Sequence, residues 1–494
     1  MTVDKRSPRA AWFAIAPLGL LIICLLVQPV ITLTARVPKN YNEGWNAFHS
    51  LHAMGIEALY PAADQLFTNN YPPLSFYVVG SLAQLVGDSI IAGRLIALVS
   101  LIGVTVNIFL ILRFPLHCSR AASLFAALLF LGYMGTHYRN YVAMNDPQLL
   151  GHAMQTSAVL LSWWAWSQRV KIAGALALWR RSLPWLALGL FVSSLFVKHS
   201  LLPFPITLAL WLLYTARGVW VGLAVALGMG SLALCTWIHG IDFIDGVFLS
   251  SRQYQLERMV DKLLNYWLYP IFLWIIWGVT FGLRAGEKFY GQLLITYLGV
   301  SLVFSAAMLG GHGINYNALF DVLISLALLL GVGVSQVWHS RQKSWGHPLG
   351  WMAILALPIL LALPSVGLTQ EWQALNTTKA NTAEIIQALS QADGPVMCEM
   401  LSLCYWAGHP LEVDFFNTGQ KLKTGAMEAS QLITLIERQH FAIIQLDDDN
   451  GSSRLPTDIN QAIFKYYQVR SPQAAQTTDT PAFLLYPVPL GHLQ

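Results

Sequence analysis

The feature that most constrains this chain is a series of long, unbroken apolar runs. They fall at about 11–34, 90–112, 121–137, 148–166, 183–197, 201–215, 218–238, 267–283, 289–309, 318–337 and 349–367. About 20 apolar residues carry a helix across a bilayer's hydrocarbon core. Within lipid only helices and closed barrels satisfy every backbone N–H and C=O, and continuous rather than alternating apolarity selects helices. Charged residues make up 11% of the 494-residue chain, against about 25% in an ordinary soluble protein. The expected fold class is therefore a polytopic α-helical membrane protein with about eleven transmembrane helices. The short runs at 183–197 and 201–215 read either as one broken helix or as two tilted ones. Residues 1–34 open with Lys5, Arg6 and Arg9 and show no small-residue cleavage site, so they read as a retained first helix.

The distribution of Lys and Arg orients such helices. With the N-terminus cytoplasmic, the inner segments carry Lys5, Arg6, Arg9, Arg113, Arg120, Arg169, Lys171, Arg180, Arg181, Arg217, Arg284, Lys288, Arg341 and Lys343, against Asp4 and Glu287 alone. The expectation is an integral protein of the plasma (inner) membrane with its C-terminus outside. Residues 1–367 then form the transmembrane domain, with a first outer loop at about 35–89. Residues 368–494 form a small extracytoplasmic α/β domain, since charge rises there and nothing is long enough to span. In that part NTAEIIQALSQA (381–392) and MEASQLITLIERQ (427–439) have helical spacing, the latter with Leu432, Ile433 and Ile436 inward. GPVMCEM (394–400) and HFAIIQLDDD (440–449) read as short buried strands. Cys398 and Cys404 are either a disulfide outside the cytoplasm or two thiols. A net charge of +4 without a dense Lys/Arg patch excludes a nucleic-acid partner.

The first loop is a polar, aromatic, carboxylate-bearing island between two spans, which a simple anchor does not need. Glu43, in NEGW, is a candidate general base for a hydroxyl group, or a carboxylate that stabilises positive charge developing on a sugar ring. Asp146, in MNDPQ, falls on the same membrane side. Asp before Pro also reads as a helix N-cap. Arg94, Arg139, Lys198, His199 and His312 map to the outer ends of spans and are candidates to hold a phosphate, Arg as a fork and Lys as a point charge. The alternative for each is snorkelling to water. Lys198 stands out because a charge at the bilayer centre costs about 2.5–3.5 kcal/mol on insertion scales. In GGHGINYNALFD (310–321), Asn315, Tyr316 and Asn317 join His312 as hydrogen-bonding groups, and the glycines would let backbone approach a ligand. His49 and His52 share a helix face but lack a third ligand, so no metal site is expected.

The first-loop acidic motif, the stretch YPPLSFYVVGSLAQLVGDSIIAGRLIAL from Tyr71, and an acid before the fourth span together resemble the GT-C class of integral-membrane glycosyltransferases. The closest likeness is to bacterial relatives of protein O-mannosyltransferases and of the lipid A aminoarabinose transferase. The resemblance implies a hexosyl or pentosyl transferase that takes a sugar from a polyprenyl-phosphate donor. It would pass the sugar to a glycan, lipid or protein acceptor at the outer membrane face, with inversion and among membrane lipids. Asn42-Glu43 stands where the family carries Asp-Glu, so Glu43 would inherit the base role, with Asn42 and Tyr71 beside the substrate. Asp146 matches the second acidic position, and His312 stands where relatives often carry Lys. No cofactor is required, and a divalent cation stays open. Two other classes remain: a transporter or flippase of lipid-linked saccharides, and a non-catalytic envelope assembly protein. Internal repeats, common in transporters, are not evident.

Overall fold

The computed structural model describes residues 8–167, 175–285, 289–339, 348–470 and 482–489. The expected inner charges Asp4, Lys5, Arg6, Arg169, Lys171, Glu287, Lys288, Arg341 and Lys343 lie outside them. The first helices are α1 (Pro8–Ile31), α2 (Tyr41–Ala53), α3 (Leu74–Val86), α4 (Ser89–Arg113), α5 (Arg120–Thr136) and α6 (Gln148–Ser167). Then come α7 (Ala175–Val197), α8 (Pro203–Tyr214), α9 (Val219–His239), α10 (Asp242–Phe248), α11 (Leu256–Asp261) and α12 (Leu268–Ala285). The helical part closes with α13 (Phe289–Leu309), α14 (Phe320–His339), α15 (Pro348–Ala362) and α16 (Leu368–Ser390).

Every apolar run folds as a helix. Among the described residues, five stretches are long and apolar enough to cross a membrane by length and composition: Ala10–Ile31, Ser89–Arg113, Val219–His239, Tyr290–Leu309 and Tyr316–Trp338. The remaining runs form shorter or less apolar helices. The runs at 183–197 and 201–215 are two separate helices, α7 and α8. The chain breaks between Lys198 and Leu202, and Pro203 opens the next helix, where its missing N–H costs nothing. α14 sits in the middle of the bundle against α5, α12 and α13, with most of its side chains buried. α9 buries none. A helix apolar on all sides is stable either inside a core or against lipid, and these two helices occupy one situation each.

The first outer loop holds α2 and α3. Asn40 starts α2 by accepting a hydrogen bond from the Asn42 N–H, and Asp88 starts α4 by accepting from Ile90 and Ile91. Although α2 is polar, its residues from Glu43 to Ser50 are buried. α3 and α4 cover one side of it, and α17 (Leu401–Ala407) covers another. The approach to α17 needs Gly44, because a Cβ there would lie 2.2 Å from the Ser402 backbone nitrogen.

Beyond α16 a four-stranded sheet forms from β1 (Val396–Cys398), β2 (Ile443–Leu446), β3 (Tyr467–Val469) and β4 (Phe483–Pro487) in the order β1-β2-β4-β3. β1 and β2 run parallel, with Val396 opposite Ile443, and the other pairs are antiparallel. Helices α17, α18 (Phe415–Lys423), α19 (Ser430–Glu437) and α20 (Thr457–Tyr466) connect and cover the strands. The expected helix at 381–392 is the end of α16. The two expected strands shrink to β1 and β2, and α19 turns Leu432 and Ile436 inward. Cys398 and Cys404 form a disulfide joining β1 to α17.

Substituting Gly44→Ala should lower stability by about 1–3 kcal/mol, the usual cost of overpacking. Thermal unfolding in detergent reads this directly. Gly189→Ala, where a Cβ meets nothing within 4 Å, should leave the midpoint unchanged or raise it.

Candidate functional site

A fully buried ion pair stands behind the candidate site. The Arg94 side chain on α4 and Glu43 in the first turn of α2 both have zero exposure. Arg94 donates from Nε to Glu43 Oε1 at 2.8 Å and from Nη2 to Oε2 at 2.7 Å. Its other N–H groups reach the carbonyls of Thr32 and Leu33 at 3.3 Å, and those of Ala35 and Val37 at 2.7 Å. The strap leaving α1 therefore wraps the guanidinium. Glu43 accepts two more bonds, from the backbone N–H of Lys39 and of Asn145, both at 3.1 Å. Four donors on two oxygens leave the carboxylate no free position for a proton, and Arg94 has no N–H left for a phosphate. Glu43 as base and Arg94 as phosphate ligand do not fit this geometry.

The same pair places the loop that carries Asp146. Besides accepting from Asn145 N–H, Glu43 offers its own carbonyl to the Asn145 amide at 3.2 Å, and Asn46 donates to the Asn145 carbonyl at 2.9 Å. Lys39 Nζ donates to the Ala143 carbonyl at 2.8 Å. Gly93 on α4 lets the loop close in, since a Cβ there would meet the Asn145 side chain at 1.9 Å. Asp146 then divides its work between its oxygens. Oδ1 caps α6 by accepting from Gln148 N–H at 2.9 Å. Oδ2 faces Lys198 Nζ at 3.8 Å and accepts from Asn317 Nδ2 at 3.3 Å.

Lys198 stands at the break between α7 and α8. Its side chain is only 8% exposed, so it does not snorkel. Its ammonium lies 4.8 Å over the ring of Tyr71. Arg252 contributes a second positive charge, within electrostatic reach of both Lys198 and His199. Burial first, and then Lys198 and Arg252, lower the His199 imidazole to about 4. Among the described residues no carboxylate lies within ion-pair distance of Arg252. Lys198 thus faces the Asp146 carboxylate while Arg252 adds positive charge on the Lys198 and His199 side.

The other sequence candidates are placed as follows. Asn42 engages through its backbone, at the N-cap and to Asn46. Arg139 donates to the Leu25 carbonyl at 2.6 Å and to Gln28 Oε1 at 3.2 Å, so it braces α1 rather than waiting for a phosphate. His312 lies beside Arg252, its N–H on the Gln253 carbonyl at 3.0 Å. Asn315 caps nothing, and Tyr316 stacks on Tyr138 at 5.7 Å. Of the polar groups offered by that turn, Asn317 reaches Asp146. Arg252 was missed, because a single Arg in SSRQYQ carries no motif. His49 is enclosed by Trp45 and Phe76, and His52 faces Glu57 at 3.5 Å. No group of three His, Cys, Asp or Glu gathers to hold a metal among the described residues.

Fold and site together define an integral membrane protein with Asp146 and Lys198 side by side, buried beside its first loop, and Arg252 within electrostatic reach of Lys198. No family model matches the sequence, and no curated protein matches it. The solved structures do offer relatives in fold. They include ArnT, the lipid A aminoarabinose transferase of the GT-C class, from Cupriavidus metallidurans. Its apo structure superposes with a TM-score of 0.60 at 13% identity, covering 95% of this chain and 98% of that one. Its structure bound to undecaprenyl phosphate gives 0.60 at 14% identity, covering 94% and 97%. The chain thus has the ArnT fold over nearly its whole length.

Arg94→Ala should cost about 3–5 kcal/mol, because it strands a buried carboxylate. The check is the unfolding midpoint and the monodisperse fraction on size exclusion. Arg94→Lys restores the charge but not the fork, and should recover only part. His199 titrates near 6.5 unfolded and about 4 folded. Between those values the unfolded chain binds more protons, so stability falls as pH drops from 6.5 to 4. His199→Gln should flatten that decline in a pH series of unfolding midpoints.

Proposed function

We propose that this protein is a GT-C-type glycosyltransferase that moves a sugar from a polyprenyl-phosphate carrier to an acceptor hydroxyl at the outer face of the plasma (inner) membrane. The observation that carries the reading is the pocket in which Asp146 Oδ2 stands 3.8 Å from Lys198 Nζ with Arg252 close by. The ArnT structure bound to undecaprenyl phosphate supports a lipid-phosphate donor.

Lys198 and Arg252 hold the donor phosphate, and His312 lies at the edge of that charge. The acceptor oxygen attacks the anomeric carbon in line and inverts it. The bond from that carbon to the phosphate oxygen breaks, and polyprenyl phosphate departs with the electron pair. Phosphate is a good leaving group once its charge is held, so no general acid is needed. Asp146 Oδ2 receives the acceptor's proton. Asn317 fixes the carboxylate's direction, donating to Oδ2 at 3.3 Å. Glu43 and Arg94 take no part in bond making and position the Asp146 loop. Tyr71 forms a wall under Lys198.

The remaining organisation follows the charge asymmetry of the sequence. About eleven helices cross, the N-terminus is cytoplasmic, the transmembrane domain runs over 1–367, and residues 368–494 lie outside.

Turnover of a polyprenyl-phosphate sugar in proteoliposomes tests the reading. Asp146→Asn should lower kcat about 10²–10⁴-fold, the range for losing a general base, while donor affinity changes little. Arg252→Ala should instead raise KM for the donor. Full turnover by Asp146→Asn would remove it as proton acceptor. Transbilayer movement of intact donor without sugar transfer would turn the reading to a flippase.

A further inference from the structure

The C-terminal domain touches the phosphate pocket through one aromatic side chain. Phe416 is the second residue of α18, and α18 is fixed to the outer loops along its length. Tyr41 donates from Oη to Asp414 Oδ1 at 2.8 Å, and Asn70 donates to Asn417 Oδ1 at 3.1 Å. Further along, Gln253 N–H donates to Gln420 Oε1 at 2.9 Å, and Lys421 Nζ reaches the Ala63 and Gln65 carbonyls at 2.9 and 3.0 Å. These bonds leave Phe416 little room to move. Its ring lies 6.0 Å from that of Tyr41 and 5.6 Å below the Arg252 guanidinium. It also closes against Gly313, where a Cβ would come within 2.3 Å of the ring.

We propose that the C-terminal domain completes the donor site, with Phe416 as a positioning residue that holds Arg252 toward the phosphate. The inference rests on the reading of Lys198 and Arg252 as the phosphate's partners. An arginine used this way must be oriented without being neutralised. A carboxylate partner would orient it but would compete with the phosphate for the same N–H groups. The face of an aromatic ring attracts the cation through its quadrupole and leaves every N–H free. This explains why Arg252 lies over a ring with no carboxylate among the described residues to pair with it. It also gives the outer domain a part in donor binding, since α18 carries the ring and the bonds to the outer loops set its height above the pocket.

Binding of undecaprenyl phosphate to the full-length protein in detergent is the test, with a double-mutant cycle between Phe416 and Arg252. Phe416→Leu keeps an apolar side chain and removes the ring face. It should weaken binding about tenfold, the scale of one partly desolvated cation–π contact. Phe416→Tyr should restore it to within about twofold. In the Arg252→Ala background Phe416→Leu should add nothing, which a loss of packing alone would not produce. Wild-type affinity in Phe416→Leu, or the same loss with and without Arg252, overturns the inference while leaving the phosphate reading in place. If wild type and Arg252→Ala bind undecaprenyl phosphate alike, the phosphate reading fails and the inference with it.

Discussion

The buried pair between Arg94 and Glu43 is the contact on which the candidate site of this protein depends. A guanidinium with no exposure must find acceptors for all its N–H groups or bear the cost of desolvation. Here a carboxylate from α2 and four carbonyls of the strap after α1 supply them. One ion therefore ties the end of α1, the start of α2 and the first turns of α4. Because Glu43 also accepts from Asn145 N–H, the loop bearing Asp146 is registered against the same pair.

Around Asp146 and Lys198 the polar and aromatic groups come from segments far apart in the chain. Tyr71 belongs to the first loop, Lys198 to the break between α7 and α8, Arg252 to the loop before α11, and Asn317 to the turn before α14. The break matters physically. A lysine inside a continuous span would face lipid at a cost of about 2.5–3.5 kcal/mol, whereas at the interruption it turns into a polar pocket. Burial is the first cause of the lowered His199 value, with the charges of Lys198 and Arg252 behind it. The outer domain belongs to the same arrangement. It packs α17 on α2 at Gly44 and presses Phe416 against Gly313.

Much of this was legible from the chain. The apolar runs marked the helices. Asp146 and Lys198 stood out because ionisable groups beside or within apolar runs are costly to keep. The errors share one cause. Glu43, Arg94 and Arg139 looked available because a sequence shows a charge and not its partner, and each is taken up by protein groups. The 310–321 turn offered several polar groups at once, and only the backbone's path decides that Asn317 is the amide that reaches Asp146. Arg252 had no surrounding pattern to distinguish it from any other loop arginine.

The amino-acid sequence by itself determined that this chain needs a bilayer, where its helices lie, and that its outer loops hold polar groups no lipid would accept. Those properties are local sums over neighbouring residues, and hydropathy adds along a segment. Tertiary structure alone decided which charges are consumed by the scaffold and which remain free to meet a ligand. That depends on distances between residues 51, 52 and 171 positions apart in the chain, as for Glu43 with Arg94, Asp146 with Lys198, and Asp146 with Asn317. Coulomb energy and hydrogen bonding act through space and fall steeply with distance, so no reading along the chain can assign them.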